Sequence, residues 1–274
     1  MPDLAIIIVS YNAAGDLSRC LQSLHDAPPA TPHATVVVDN ASTDGSPDLV
    51  RRWPDVRLIE TGANLGFAKA NNVGIRQTES ELVLLLNSDT VVPPGAIDRL
   101  VDDLRAHPDV AVAGPRIVDG HGKAELSFGR MMSPLNELRQ KLIVTLQQKG
   151  VPPFPALVDR LTRRPGSPDW VSGACLLVRR ADAEQAGLLD ERYFIYAEDV
   201  DFCAAIRGAG RGVRFVPAAE IVHLRGRSVA SARAATNRAY RRSQILFYEK
   251  HLPFWAPWLR LYLRLKGQLP ADEA

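Results

Sequence analysis

The chain has 274 residues, with 33 Lys+Arg against 31 Asp+Glu and a formal net charge of +2. That balance excludes a dedicated nucleic-acid binder, whose contact face is flooded with base, so no nucleic-acid partner is expected. Apolar residues at 46% and charged residues at 23% exclude disorder as the main state, and the three scattered cysteines (Cys20, Cys175, Cys203) form no CxxC pair, which excludes a zinc ribbon or a disulfide scaffold.

Unpaired cysteines suit a reducing, cytoplasmic compartment. The run Leu4 to Val9 has no basic segment before it and no cleavage site after it, so it does not read as a secretory signal. No apolar run approaches the roughly 18 residues of a transmembrane helix.

Leu4 to Val9 reads instead as a strand buried on both faces, ended by Ser10-Tyr11-Asn12. Leu17, Cys20, Leu21 and Leu24 follow at helical spacing, and Pro28-Pro29 stops that helix. Thr35 to Val38 is a second buried strand, closed by the polar turn Asp39 to Ser46, whose Asp, Ser and Thr side chains suit the cap of a helix over 47–53. Val56 to Glu60 is a third strand, Gly66 to Gln77 a helix, and Leu82 to Leu86 a fourth strand closed by Asn87-Ser88-Asp89. Ile97 to His107 is an amphipathic helix and Val110 to Pro115 a strand.

This alternation over residues 1–115 predicts a parallel sheet with helices on both faces. The polar clusters at 10–12, 39–46 and 87–89 all follow strands, where such sheets bind ligands. Between 131 and 168 the pattern degrades into two helical stretches around Pro152-Pro153-Phe154-Pro155, read as an insertion over the site. Regularity returns with a strand over 174–179, a short helix over 181–187, a helix over 200–208 and a strand over 212–216.

Several chemistries fail on motif. No GxGxxG follows the first strand, no GxxxxGK[ST] occurs, and no GxSxG elbow occurs, which removes dinucleotide, P-loop and α/β-hydrolase readings. What remains is a set of acids at strand ends, Asp39, Asp44 and Asp89, followed by Glu198, Asp199, Asp201 and His223. Such a set suits a hard divalent cation, Mg²⁺ or Mn²⁺, that shares its shell with a diphosphate.

Eight segments in order then carry a resemblance. They are Ile7-Ile-Val-Ser-Tyr-Asn12, Val38-Asp-Asn-Ala-Ser-Thr-Asp-Gly-Ser46, Asn64-Leu-Gly-Phe-Ala-Lys-Ala-Asn-Asn-Val-Gly74, Leu84-Leu-Leu-Asn-Ser-Asp-Thr90, Ser172-Gly-Ala174, Gly187-Leu-Leu-Asp-Glu191, Tyr196-Ala-Glu-Asp-Val-Asp-Phe202 and His223-Leu-Arg-Gly-Arg-Ser228. Over roughly residues 4 to 250 the chain resembles the family 2 inverting glycosyltransferases, and within them the rhamnosyltransferase-like branch. The resemblance implies a GT-A fold over 1–250: a mostly parallel central sheet flanked by helices, a nucleotide-sugar-binding half (1–115), the insertion (131–168), an acceptor and catalytic half (170–228), and a tail over 251–274. The activity it implies is transfer of a sugar, L-rhamnose by the branch, from a dTDP-, UDP- or GDP-sugar to a hydroxyl of a glycan or a polyprenyl-diphosphate-linked glycan.

The same resemblance assigns roles. Ser10, Tyr11, Asn12, Asp39, Asn64, Gly66, Lys69, Asn71, Asn87 and Ser88 are expected on the donor, with Asp39 on the nucleotide base. Asp89 matches the last acid of the family's DxD motif, the metal ligand, while Asn87 stands where the motif has its first acid. His223 matches a histidine that completes the metal shell in several relatives. Glu198-Asp199 matches the ED motif, with Asp199 as catalytic base and Glu198 holding an acceptor hydroxyl. Trp170 and Gly173 are expected at the acceptor, Trp170 reading equally as a core tryptophan.

Asp44 reads as structural, and helical spacing points Asp201 away from Asp199. Six arginines between Ile221 and Tyr248 (225, 227, 233, 238, 241, 242), with no acid among them, suit either a solvated face or a diphosphate. Phe254 to Lys266 mixes aromatics with Arg260, Arg264 and Lys266, and reads either as a packing element or as a helix from Pro257 in peripheral contact with the inner face of the plasma membrane. Two rival readings remain at this point: a sugar nucleotidylyltransferase, whose basic Gly-rich first loop is missing after Val9, and an inactive glycan-binding relative, which the presence of Asp89, Asp199 and His223 disfavours.

Overall fold

The computed structural model describes residues 2–224 and 233–270. Four strands, β1 (Leu4–Ser10), β2 (His33–Asp39), β3 (Val56–Glu60) and β4 (Leu82–Asn87), pair in parallel in the order β3-β2-β1-β4. Their β-branched and leucine runs are sequestered on both faces. Ile6 and Ile8 join one core with Leu17, Leu21 and Leu24 of helix α1 (Ala14–Asp26) and Ile97, Leu100 and Leu104 of α4 (Ala96–Ala106). Ile7 faces the other core, with Ala68, Ala70 and Ile75 of α3 (Phe67–Arg76) and Phe202, Cys203 and Ile206 of α8 (Glu198–Gly208). The polar turn after β2 opens only a short α2 (Ser46–Val50), whose N-cap is the left-handed Gly45 rather than a capping Asp, Ser or Thr side chain.

The sheet departs from the parallel pattern read over residues 1–115. Strand β6 (Val110–Val118) does not pair with β4; antiparallel β10 (Cys175–Arg179) lies between them, Leu177 standing opposite both Leu84 and Ala113. The inserted strand comes from more than 50 residues downstream, and local periodicity carries no information on that partner. Beyond β6 comes parallel β11 (Gly212–His223), which runs on past the strand read over 212–216 after a register shift between Val216 and Glu220. Its end turns onto β5 (Thr90–Val91), while β7 (Ala124–Glu125) edges β6. A separate ribbon pairs β8 (Phe128–Gly129) with β9 (Trp170–Val171).

The 131–168 segment holds α5 (Pro134–Gln148) and α6 (Phe154–Leu161). Buried Arg116 of β6 anchors it, bridging Asp159 of α6 and Glu220 of β11. After α7 (Arg180–Gln185) and α8, the chain ends in α9 (Arg233–His251) and α10 (Ala256–Leu265). Asp201, inside α8, is turned onto α9, where Lys250 and His251 bond it, which matches its expected orientation away from Asp199.

Strand direction decides what meets at one edge. The carboxyl ends of β1, β2 and β4 coincide, with Ser10 opposite Asp39 and Val9 opposite Asn87. Antiparallel β10 begins at that edge, where Cys175 faces Leu86, and β11 ends there, with His223 opposite Thr90.

Candidate active site

Asn87 and Asp89 leave β4 as the chain turns into β5. Asp89 Oδ1 lies 3.1 Å from His223 Nε2, and Asn87 Nδ2 lies 3.5 Å from the same nitrogen. Two ligands on neighbouring vertices of an octahedral cation, with bonds of about 2.1 Å, stand about 3 Å apart. The Asp89–His223 spacing therefore fits a shared divalent ion. Glu125 Oε2 lies 3.8 Å from His223 Nδ1, on the side from which a carboxylate orients a ligating imidazole. Glu125 was not legible in the sequence: it is a lone acid on a two-residue strand. Among the described residues no three His, Cys, Asp or Glu side chains converge as a complete metal cage. The residues present fit an ion that takes its remaining ligands from elsewhere.

Asp39 is 2% exposed; its Oδ2 accepts from Ser42 N at 2.9 Å, while its Oδ1 is buried without a partner. Ser10 Oγ, Asn71 Oδ1, Asn87 Oδ1 and Glu198 Oε2 are likewise buried and unpartnered. An orphaned buried polar atom costs about 1–3 kcal/mol, so several among the sequence-expected residues mark a surface built for a polar ligand.

The other candidates fall into different situations. Tyr11 is exposed. Asn12 sits at φ +49° and its Oδ1 accepts from Thr43 N at 2.7 Å, stitching the first loop to the second. Asp44 does the same, taking Ala14 N at the start of α1 and Ser46 N, so its role is structural as read. Asn64 Oδ1 accepts from Asn40 Nδ2 and Gly66 N, closing the loop ahead of α3. Gly66 has φ +82°, and a Cβ there would lie 2.5 Å from the Phe194 carbonyl, so it packs the loop ahead of α3 against the loop ahead of α8. Lys69 is exposed on α3 and Ser88 is half-buried beside Asp89. Trp170 is half-buried between two cores and its indole donates to the Arg130 carbonyl at 2.9 Å, which favours its packing role. Arg225 and Arg227 lie outside the described residues. Arg241 is engaged with Gln244 and Gln268.

Glu198 and Asp199 open α8 after two left-handed residues, Tyr196 (φ +70°) and Ala197 (φ +63°). Such strain costs about 1 kcal/mol or more per residue and collects at functional sites. Asp199 Oδ2 accepts from Gly173 N and Oδ1 from Val200 N, both at 2.8 Å. Asn87 N in turn donates to Ala174 O at 2.9 Å, so backbone links the Asn87–Asp89 loop to Asp199 through residues 173–174. Burial raises the Asp199 pKa, against the lowering by those two amides. Glu198 is pushed well above its usual range by burial and by the Asp199 charge. Burial thus raises the proton affinity of both carboxyls, and the Asp199 charge adds to the rise on Glu198.

Gly173 is tied to Asp199 directly. A Cβ there would lie 3.2 Å from Asp199 Cβ and 3.6 Å from Phe67. We expect Gly173→Ala to lower turnover about 10- to 100-fold through displacement of Asp199, with donor affinity retained. Steady-state kinetics with a donor titration checks this, and an unchanged turnover would free Gly173 of that role.

Comparisons with known proteins agree with this geometry. The glycosyl transferase family 2 model matches residues 5–165. The chain is 34% identical to the N-acetylglucosaminyl-diphospho-decaprenol L-rhamnosyltransferase of Mycobacterium tuberculosis, over 95% of this chain and 89% of that protein. It is 28% identical to the low-salt glycan biosynthesis hexosyltransferase Agl10 of Haloferax volcanii, over 76% of this chain and 62% of that one. Among solved structures, a Pyrobaculum calidifontis mannosyltransferase in complex with GDP-Man and Mn²⁺ superposes with TM-score 0.63 at 21% identity, covering 94% of this chain and 68% of that one. The TarS 1-349 structure from S. aureus gives 0.57 at 19% identity, over 89% and 65%. The expected GT-A architecture is thus present, and the nucleotidylyltransferase reading falls away. The chain is a glycosyltransferase and belongs to glycosyl transferase family 2.

Proposed function

We propose that the enzyme transfers L-rhamnose, with inversion, from a nucleoside-diphosphate donor to a hydroxyl of a polyprenyl-diphosphate-linked glycan. The observation that carries the chemistry is the arrangement at one sheet edge: Asp89 and His223 at 3.1 Å, unpartnered Asp39 and Asn87 oxygens, and Asp199 held by two backbone amides. The sugar and the lipid-linked acceptor rest on the name of the Mycobacterium tuberculosis relative, aligned over nearly the whole chain.

In this reading Asp39 and Ser10 take polar groups of the nucleoside, and Asn87 takes a donor group close to the diphosphate. Mg²⁺ or Mn²⁺ held by Asp89 and His223 would supply Lewis-acid neutralisation of the departing diphosphate. Glu198, carrying its proton, offers a hydrogen bond to an acceptor hydroxyl oxygen. Asp199 takes the proton of the attacking hydroxyl as the acceptor oxygen bonds to the anomeric carbon and the nucleoside diphosphate leaves from the opposite face.

The test is a thermal-shift screen of dTDP-, UDP- and GDP-sugars with and without Mn²⁺, followed by transfer to a polyprenyl-diphosphate-linked N-acetylglucosamine. Occupancy at a hundred times Kd adds about 2.7 kcal/mol to stability, so the true donor separates from the others. We expect dTDP-rhamnose to give the largest Mn²⁺-dependent shift, Asp89→Ala to remove the Mn²⁺-dependent part, and His223→Ala to weaken it several-fold. Equal shifts with and without Mn²⁺ in all three proteins would move the metal site elsewhere.

A further inference from the structure

Two helices far apart in sequence expose apolar stripes while packing on the same neighbour. In α10, Ala256 and Leu263 are buried, and Ala256 and the half-buried Leu259 pack with Phe247 and Tyr248 of α9. The opposite side carries Trp258, Leu261, Tyr262 and Leu265 at i, i+3, i+4 and i+7, all exposed, Leu265 by 79%. Phe254 (76% exposed) and Trp255 extend it at the N-terminal end. The tail thus packs by one face and presents the other, so the two readings of its sequence are not alternatives.

In α5, Leu135, Leu138 and Leu142 form a second stripe at i, i+3 and i+7, exposed by 55 to 74%. Sequence reading gave this segment no such role. Its other side is fixed to α9, where Gln244 and Tyr248 both donate to Glu137. Arg260 of α10 bonds Glu249 of α9, and Arg241 of α9 reaches Gln268 beyond α10.

Charge selects the partner. Residues 131–150 and 252–270 contain six cations, Arg139, Lys141, Lys149, Arg260, Arg264 and Lys266, of which Arg260 is paired with Glu249 of α9, and one acid, Glu137, which is turned into α9. The remainder of the chain is close to neutral in balance. A twofold contact between copies would set these cations against their own images and repel. An anionic lipid surface satisfies both components, apolar side chains entering the acyl boundary and Lys and Arg meeting the headgroups.

We propose that α5 and α10 together form a docking surface for an anionic membrane. The idea rests on the lipid-linked acceptor proposed above and extends it to the surface on which that acceptor lies. The path to the site is short in structural terms. Helix α9 bonds Asp201 of α8 through Lys250 and His251, and α8 begins with Glu198 and Asp199. Docking by α5 and α10 therefore fixes the orientation of the catalytic helix relative to the bilayer.

The experiment is flotation of the full chain with vesicles of equimolar phosphatidylglycerol and phosphatidylcholine, and with pure phosphatidylcholine, at low and high salt. We expect binding to the anionic vesicles at low salt, a drop of about fivefold for each cation removed, and strong loss at high salt. Leu135→Ser/Leu138→Ser/Leu142→Ser and Trp258→Ser/Leu261→Ser/Leu265→Ser should each weaken binding at least tenfold. Both sets remove exposed side chains, so melting temperature and donor-induced stabilisation should stay unchanged. Wild-type protein that fails to float on anionic vesicles, or a leucine variant of α5 that floats like wild type, would overturn the proposal. So would a wild-type dimer, seen by sedimentation, that these substitutions dissolve without any vesicle binding. The acceptor reading is separated by assaying transfer to the lipid-linked acceptor in detergent: activity there without vesicle binding rejects the surface alone, and vesicle binding without that activity rejects the acceptor alone.

Discussion

Asp199→Asn should lower the transfer rate by about 10²–10⁴-fold and leave donor binding in place, the range lost when a general base is removed. The amide preserves shape but has no basic oxygen for the acceptor proton. It also turns one NH₂ toward a site now filled by a carboxylate oxygen, so it can keep only one of the two amide contacts from Gly173 and Val200. That lost hydrogen bond costs about 1 kcal/mol, too little to unfold the domain. Donor-induced stabilisation of the variant should therefore match wild type. A near-wild-type rate would remove Asp199 from the mechanism.

The pH profile gives a second readout of the same residue. Burial raises the Asp199 pKa, with the backbone amides of Gly173 and Val200 opposing. A base with a raised pKa is lost earlier as pH falls. The acid limb of kcat/KM should thus lie above the ordinary aspartate range, and Glu198→Gln, which removes the neighbouring titrating carboxyl, should simplify that limb.

Asp201→Ala should cost about 3 kcal/mol of stability, read as a lower urea midpoint at unchanged slope. Asp201 is 2% exposed and accepts from His251 Nε2 at 2.6 Å, Lys250 Nζ at 2.9 Å and the Tyr193 hydroxyl at 3.2 Å. Its removal leaves three donors facing a void. The cost sits at the low end for a broken buried ion pair because Lys250 remains partly solvated and retains Asp190. Asp201→Asn should fall between the two, keeping an acceptor without charge. An unchanged midpoint for Asp201→Ala would mean that α8 and α9 are held by packing alone.

The legibility of the site followed the range of the interactions involved. Ser10, Asp39, Asn87 and Asp89 could be placed from local pattern, because a buried strand run followed by a polar turn fixes where the turn lies. Glu198 and Asp199 could be paired with a role only through the resemblance, since a helix start rich in acids is also an ordinary capping pattern. Gly173 was expected at the acceptor, and the structure adds that its amide donates to Asp199. Trp170 was left between core and platform, and its indole bond to Arg130 favours the packing reading. Glu125 and the leucine stripe of α5 carried no signal that the sequence alone could separate from surface.

The legible part is therefore local: which runs are buried on both faces, where they stop, and which polar residues stand at those stops. Periodicity and turn chemistry act within a few residues, so they survive reading without coordinates. The three-dimensional packing was needed to show that antiparallel β10 lies between β4 and β6, that β11 brings His223 to within 3.1 Å of Asp89, and that Glu198 and Asp199 are buried side by side with raised proton affinity. Strand order and close approach depend on residues from about 60 to more than 130 positions apart, and the free energy that selects them comes from packing the whole core rather than from any one segment.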